Sequence, residues 1–177
     1  MPQVRYCIRR NSLDRKVLQE KAASVFAHEN GWKKFGFDFI YVEPEHAVDV
    51  SLGITPATGM NTLFPDFKQQ RLSVCMLKTG IIHLHEERWL SGSTASGYTD
   101  LEDYRTYVIN HEVGHALGAG HLEACVLDDG GSTPVMMQQT LKTNGCRPKP
   151  YPSALDFSLT RWGHVVKNLG SENRDPR

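Results

Sequence analysis

Apolar and polar positions change their spacing several times along the chain, and each change marks an element. Residues 4–9 (VRYCIR) alternate well enough to predict a strand. Leu13, Val17, Val25 and Phe26 then fall near one helical stripe. With Ser12 as N-cap and Gly31 as stop, they predict an amphipathic helix. Residues 37–42 (FDFIYV) combine aromatic and β-branched side chains and read as a strand, as do residues 48–52. Residues 53–67 hold Gly, Pro, Thr and Asn and read as a long loop. Residues 72–77 and 80–84 form two further strands joined by the tight turn Lys78-Thr79-Gly80. The stretch 91–99 (SGSTASGYT) reads as a flexible surface loop.

Asp100 is placed to cap a helix over residues 101–117, with Glu102 and Asp103 in its first turn complementing the helix dipole and Gly118 and Gly120 ending it. Residues 122–152 are rich in Gly and Pro and irregular, a short helix is predicted from Ser153 to about Trp162, and residues 170–177 are expected to fray. The order of elements predicts an α+β fold: a mixed, mostly antiparallel sheet packed on the N-terminal helix and the helix at 101–117. One domain over residues 1–165 with a tail at 166–177 suits the length of 177 residues.

Charge narrows the function classes. Lys+Arg and Asp+Glu number 20 each, which gives no electrostatic reason to bind nucleic acid or an acidic membrane. No apolar run approaches the roughly 18–20 residues of a membrane span. The opening MPQVRYCIRRNS has no apolar signal-peptide stretch, so a secretory leader is not expected in this sequence. The four cysteines, Cys7, Cys75, Cys125 and Cys146, form no CxxC pair. They allow two disulfides in an oxidising compartment, or four buried thiols in a reducing one.

The chemistry concentrates in His111-Glu112-Val113-Gly114-His115-Ala116-Leu117-Gly118-Ala119-Gly120-His121. On a helix, residues four apart differ by about 40° around the axis and about 6 Å along it. His111 and His115 can therefore reach one zinc ion. Glu112, about 100° away from His111, is badly placed as a ligand alongside them and well placed to hold a water. A glycine at 118 permits the positive φ that would swing His121 back as a third ligand. Three neutral histidines plus a water make an open, catalytic type of site. HExxH alone recurs by chance as a helix face with two solvated histidines; the added glycine and third histidine make HExxHxxGxxH far more specific.

That segment resembles the metzincin clan of zinc endopeptidases. The resemblance implies a methionine turn beneath the metal, for which Met136 and Met137 in TPVMMQQT are the candidates, Met136 ahead. A closer resemblance runs from about residue 72 to 152: Arg88-Trp89, YRTYVINHEVGHALGAGH, PVMMQQT, Gly145-Cys146 and the Pro-rich end look like an uncharacterised, mostly actinobacterial family of zincin-like metallopeptidases. It implies a zincin-like fold, one zinc per chain, a disulfide between Cys125 and Cys146, and secretion. Leu122 after the third histidine matches no named metzincin subfamily, and Gln138 or Gln139 stands where some relatives carry a tyrosine ligand.

The expected activity is hydrolysis of a peptide or protein by a monomeric zinc endopeptidase, with Glu112 as general base. The alternatives are a zinc hydrolase acting on another amide, or a binding module with a vestigial zinc. The resemblance also implies that the strand at 80–85 is an edge on which substrate pairs by β-augmentation. His83 and His85 are expected on one strand face, where a second metal site with Glu86 or Glu87 is a weaker reading than a plain polar face. Asn110 is expected to pack and hydrogen-bond. Asp128-Asp129-Gly130 reads as a turn, and His28, His46 and His164 as surface residues.

Overall fold

The computed structural model describes residues 2–163; the predicted fraying at 170–177, the domain end at 165 and His164 lie outside them. Five strands form one sheet: β1 (Gln3–Ile8), β2 (Asp38–Tyr41), β3 (Val50–Thr55), β4 (Val74–Met76) and β5 (Ile81–His85). Their spatial order is β2-β1-β3-β5-β4. β1 pairs in parallel with β2 and β3, and β3 in parallel with β5; only the β4–β5 pair is antiparallel. The fold is α+β as predicted, but the sheet is mostly parallel and the expectation of a mostly antiparallel one is corrected.

The reason lies in the connections. Parallel neighbours need a crossover long enough to return the chain to the same end of the sheet. Helix α1 (Arg15–Ala27) and a 3-10 turn at Trp32–Phe35 supply it between β1 and β2. A second crossover passes through residues 53–67, read from sequence as loop. There β3 continues to Thr55, Pro56 starts helix α2 (Ala57–Leu63), and a 3-10 turn follows at Pro65–Phe67. Only the turn at 78–80 is short enough to make an antiparallel hairpin, and it does.

β3 is central and buried from Val50 to Ile54. The core lies between the sheet, α1 and helix α4 (Leu101–Ala116), and includes Trp32, Leu52, Ile82, Leu84, Trp89 and Ile109. α1 buries Leu18, Ala22, Val25 and Phe26, whereas Val17 is half exposed. The helix starts later than predicted, after Asp14. Ser12 serves the sheet instead, its Oγ accepting from the Ile54 N–H at 2.8 Å. A short helix α3 (Glu86–Ser91) follows β5, and α5 (Ala154–Ser158) follows Ser153, whose side chain caps it, and ends before the predicted Trp162. The predicted surface loop at 91–99 is instead pinned, with Ser96 fully buried and the Tyr98 hydroxyl donating to Gln139 Oε1 at 2.6 Å. No helix among the described residues is long and apolar enough to cross a membrane.

Candidate metal centre

α4 starts where its residues dictate: the Asp100 side chain accepts from the Glu102 N–H at 2.8 Å, with Glu102 and Asp103 in the first turn. Its second half is buried although it carries His111 and Glu112, an unusual place for ionisable groups. The helix ends at Gly118, whose φ of 98° lies in the left-handed region. The reversed chain brings His121 back against His111 and His115. One ring nitrogen from each of the three lies within 4.8 Å of the others.

Hydrogen bonding sets the state of these rings. His111 Nδ1 lies 2.7 Å from the Val135 carbonyl, and His115 Nδ1 lies 2.9 Å from the Ala119 carbonyl. A carbonyl only accepts, so Nδ1 carries the proton in both rings and Nε2 keeps a lone pair. The Nε2 atoms of His115 and His121 are 3.0 Å apart. Burial lowers the pKa of all three: well below the usual value for His111, to about 4 for His115, and downward for His121. Two imidazoles with free Nε2 lone pairs and the neutral ring of His121 beside them form a donor set suited to a divalent ion such as zinc.

Glu112 is 4 % exposed and shares the wall of an adjoining cleft of about 280 Å³ with the three histidines, Val74 and Tyr107. Burial pushes its pKa up to about 8, opposed by a hydrogen bond from the backbone of Cys75 on β4. The cleft is thus flanked by β4, one of the two edge strands of the sheet, while β5 is internal. The expectation that the strand at 80–85 forms the edge is corrected to β4.

The family described as "Protein of unknown function (DUF3152)" matches residues 15–149, more than half of the chain. The chain belongs to the DUF3152 family. The match spans α1 as well as the histidine segment and both disulfide cysteines. No curated protein matches the chain.

In this DUF3152 member the Met136 segment packs against α4 through contacts that are not local. Met136 is fully buried, and a Cβ at Gly114 would overlap its Sδ and approach Trp32 Cζ2 at 3.0 Å. Gly114 therefore lets Met136 and Trp32 sit against the α4 backbone between the two histidines. Met137 is also buried, with its carbonyl accepting from the Tyr107 hydroxyl at 3.2 Å. Cys125 and Cys146 form a disulfide across this loop, while Cys7 and Cys75 are free and buried.

Asp156 on α5 clamps the Met136 segment. Its carboxylate accepts from the N–H groups of Val135 (3.1 Å), Met136 (2.9 Å) and Ser153 (2.7 Å), and from Ser153 Oγ (2.6 Å). Burial nonetheless holds its pKa above the usual range. Sequence reading did not single out Asp156. The Ser-x-x-Asp spacing of a helix start was its only signal, and the same carboxylate serves both the cap and the distant loop. Tyr107 was also missed, although it stands one turn before His111 on the face lining the cleft.

Asn110 packs as expected, its side-chain N–H donating to the Pro150 carbonyl and its own carbonyl accepting from Trp32 Nε1. Asp129 lies in a turn and pairs with Lys149. His83 and His85 do not line the metal cleft. His83 Nδ1 faces Thr55 Oγ1 at 2.9 Å and Arg9 at 3.3 Å. Among the described residues, only His111, His115 and His121 assemble as a metal-binding group.

Proposed function

We propose that the chain is a zinc-dependent peptide hydrolase with a zincin-like fold of metzincin type, acting as an endopeptidase. The observation that carries this reading is the buried Glu112 carboxyl in the wall of the cleft shared by three neutral histidines. A closed structural site has no use for a carboxyl that ligates nothing and opens onto a cavity. His111, His115 and His121 would hold the ion, which when bound supplies a Lewis acid that polarises a peptide carbonyl and makes an attacking water more acidic.

This chain's own residues do the rest. Glu112, whose pKa burial otherwise raises to about 8, would ionise more readily beside such an ion. The Glu112 carboxylate takes a proton from the attacking water and returns it to the leaving amine. The Val135 and Ala119 carbonyls hold two imidazoles in the ligand tautomer. Met136, against Gly114, forms an apolar floor that restricts ring movement. The unpaired side of β4 offers backbone groups to an extended peptide. The Cys125–Cys146 disulfide favours an oxidising, extracellular setting.

Metal content by mass spectrometry, paired with cleavage of a peptide library with and without chelator, tests the proposal. About one zinc per chain and chelator-sensitive cleavage are expected. Glu112→Gln should keep the zinc and lose at least about 100-fold in turnover. Full activity in that variant, or failure of the native chain to take up zinc, overturns the reading.

A further inference from the structure

A second cavity lies beyond the apolar wall of the metal cleft. Phe67 and Leu72 border the cleft on one side and a narrow crevice on the other, where Lys68 and His85 join them. Lys68 and His85 also line a second, polar cavity of about 240 Å³, together with Asn61, Gln69, Arg71 and Glu87.

His85 is the buried polar group of this cavity, at 3 % exposure. Its Nδ1 accepts from the Glu87 N–H at 3.2 Å, so the ring hydrogen sits on Nε2. Among the described residues that Nε2–H has no partner, and the ring borders the cavity. That Nε2 is not sealed in protein but reaches the cavity, where it can donate to an acceptor that enters. The lining side chains carry two cations, Lys68 and Arg71, and one carboxylate, Glu87, already held by Arg71 Nε at 3.0 Å, while Glu86 and Arg88, also near His85, offset each other. The amides of Asn61 and Gln69 add further N–H donors. One positive charge is left over and donors exceed acceptors, which disfavours a metal ion and suits an oxyanion.

We propose that this cavity is an oxyanion subsite. Its ligand is a carboxylate of a peptide that lies in the metal cleft and passes Phe67, or a free carboxylate or phosphate ion. The peptide form rests on the hydrolase reading above; the binding of an oxyanion does not. Phe67 and Leu72 wall both the cleft and the closed crevice beside this cavity, and that shared wall favours the peptide.

The test begins with the metal-free full chain, ¹⁵N-labelled. The His85 imidazole is followed by NMR as acetate, then inorganic phosphate, replaces chloride at constant ionic strength. A saturable shift at His85 is expected, weakened roughly tenfold or more in a Lys68→Gln/Arg71→Asn double variant that lacks both charge-assisted donors. Asparagine is chosen at 71 because Arg71 has a φ of 54°, which asparagine tolerates. Both side chains are exposed, so folding should survive. No saturable shift with either anion, or an equal shift in the double variant, overturns the proposal.

A second arm uses the zinc-loaded chain and peptide pairs that differ only by Glu against Gln on either side of the cleavage point. A lower KM for the Glu peptide at unchanged kcat, lost in the double variant, assigns the site to substrate. Anion binding with equal kinetics for the two peptides assigns it to a free ion. Anion binding without cleavage of any peptide overturns the hydrolase reading and leaves the subsite standing.

Discussion

Gly114 shows how one hydrogen atom in place of a methyl group supports a metal centre. Its helical conformation is open to any residue, so only the contact with Met136 and Trp32 requires glycine. Gly114→Ala should cost about 1–3 kcal/mol, the usual range for inserting a carbon into a filled core. Equilibrium urea unfolding of the two proteins measures it, and an unchanged midpoint would mean that Met136 moves aside freely. His83 gives a residue-level pH dependence. Burial, then the charge of Arg9, lowers its pKa from 6.5 to about 4. The unfolded chain thus binds a proton below pH 6.5 that the folded chain refuses until about pH 4. Stability contributed by neutral His83 is present above 6.5 and lost as pH falls from there toward 4. The buried imidazoles of the metal cluster act in the same direction, so the total loss is a sum. His83→Gln, which keeps an acceptor for Arg9 and Thr55, should shrink the difference between urea midpoints at pH 7 and pH 4.5.

At the scale of elements, α4 and the β4–β5 hairpin were legible because their signals are local. A capping aspartate, two acidic residues in the first turn and a glycine stop delimit α4 within a residue of its predicted end. The chain at 53–67 was not legible. Gly59, Thr58, Asn61 and Thr62 are poor helix formers, and α2 exists because Met60 is buried and Glu86 accepts from the Ala57 N–H at 3.0 Å. α5 is short, yet it carries the clamp on the Met136 segment. Asp156→Ala would leave the N–H groups of Val135 and Met136 without their acceptor, at about 1–3 kcal/mol for each unmet buried group. Because the Val135 carbonyl orients His111, the variant should also bind zinc more weakly, by about 10- to 100-fold. Competition with a fluorescent chelator reads that change; an unaltered affinity with lowered stability would limit Asp156 to folding.

At the scale of the molecule, the sheet, α4 and the loop at 122–152 meet at the metal cleft, whose wall Cys75, His111 and Gln138 share. The Cys125–Cys146 disulfide ties together two positions 21 residues apart, with Met136 between them. A closed loop of that length stabilises the folded chain by about 3 kcal/mol. Reduction, or Cys146→Ser with Cys125→Ser, should lower the melting temperature measured by circular dichroism and weaken zinc binding together. A loss of stability alone would separate the staple from the site.

The sequence by itself determined the three histidines, Glu112 and the helix that carries them, because four-residue spacing and a glycine stop are properties of a single helix and its end. It also determined the candidate methionines, through their resemblance to a known arrangement. Only the tertiary structure decided that the sheet is mostly parallel, that β4 rather than β5 is the edge beside the cleft, that Asp156 holds the Met136 loop, and that His85 faces a polar cavity while His83 faces Thr55 and Arg9. Each of these depends on which segments meet across long stretches of chain. Local periodicity describes the face an element presents, and packing alone settles what that face meets.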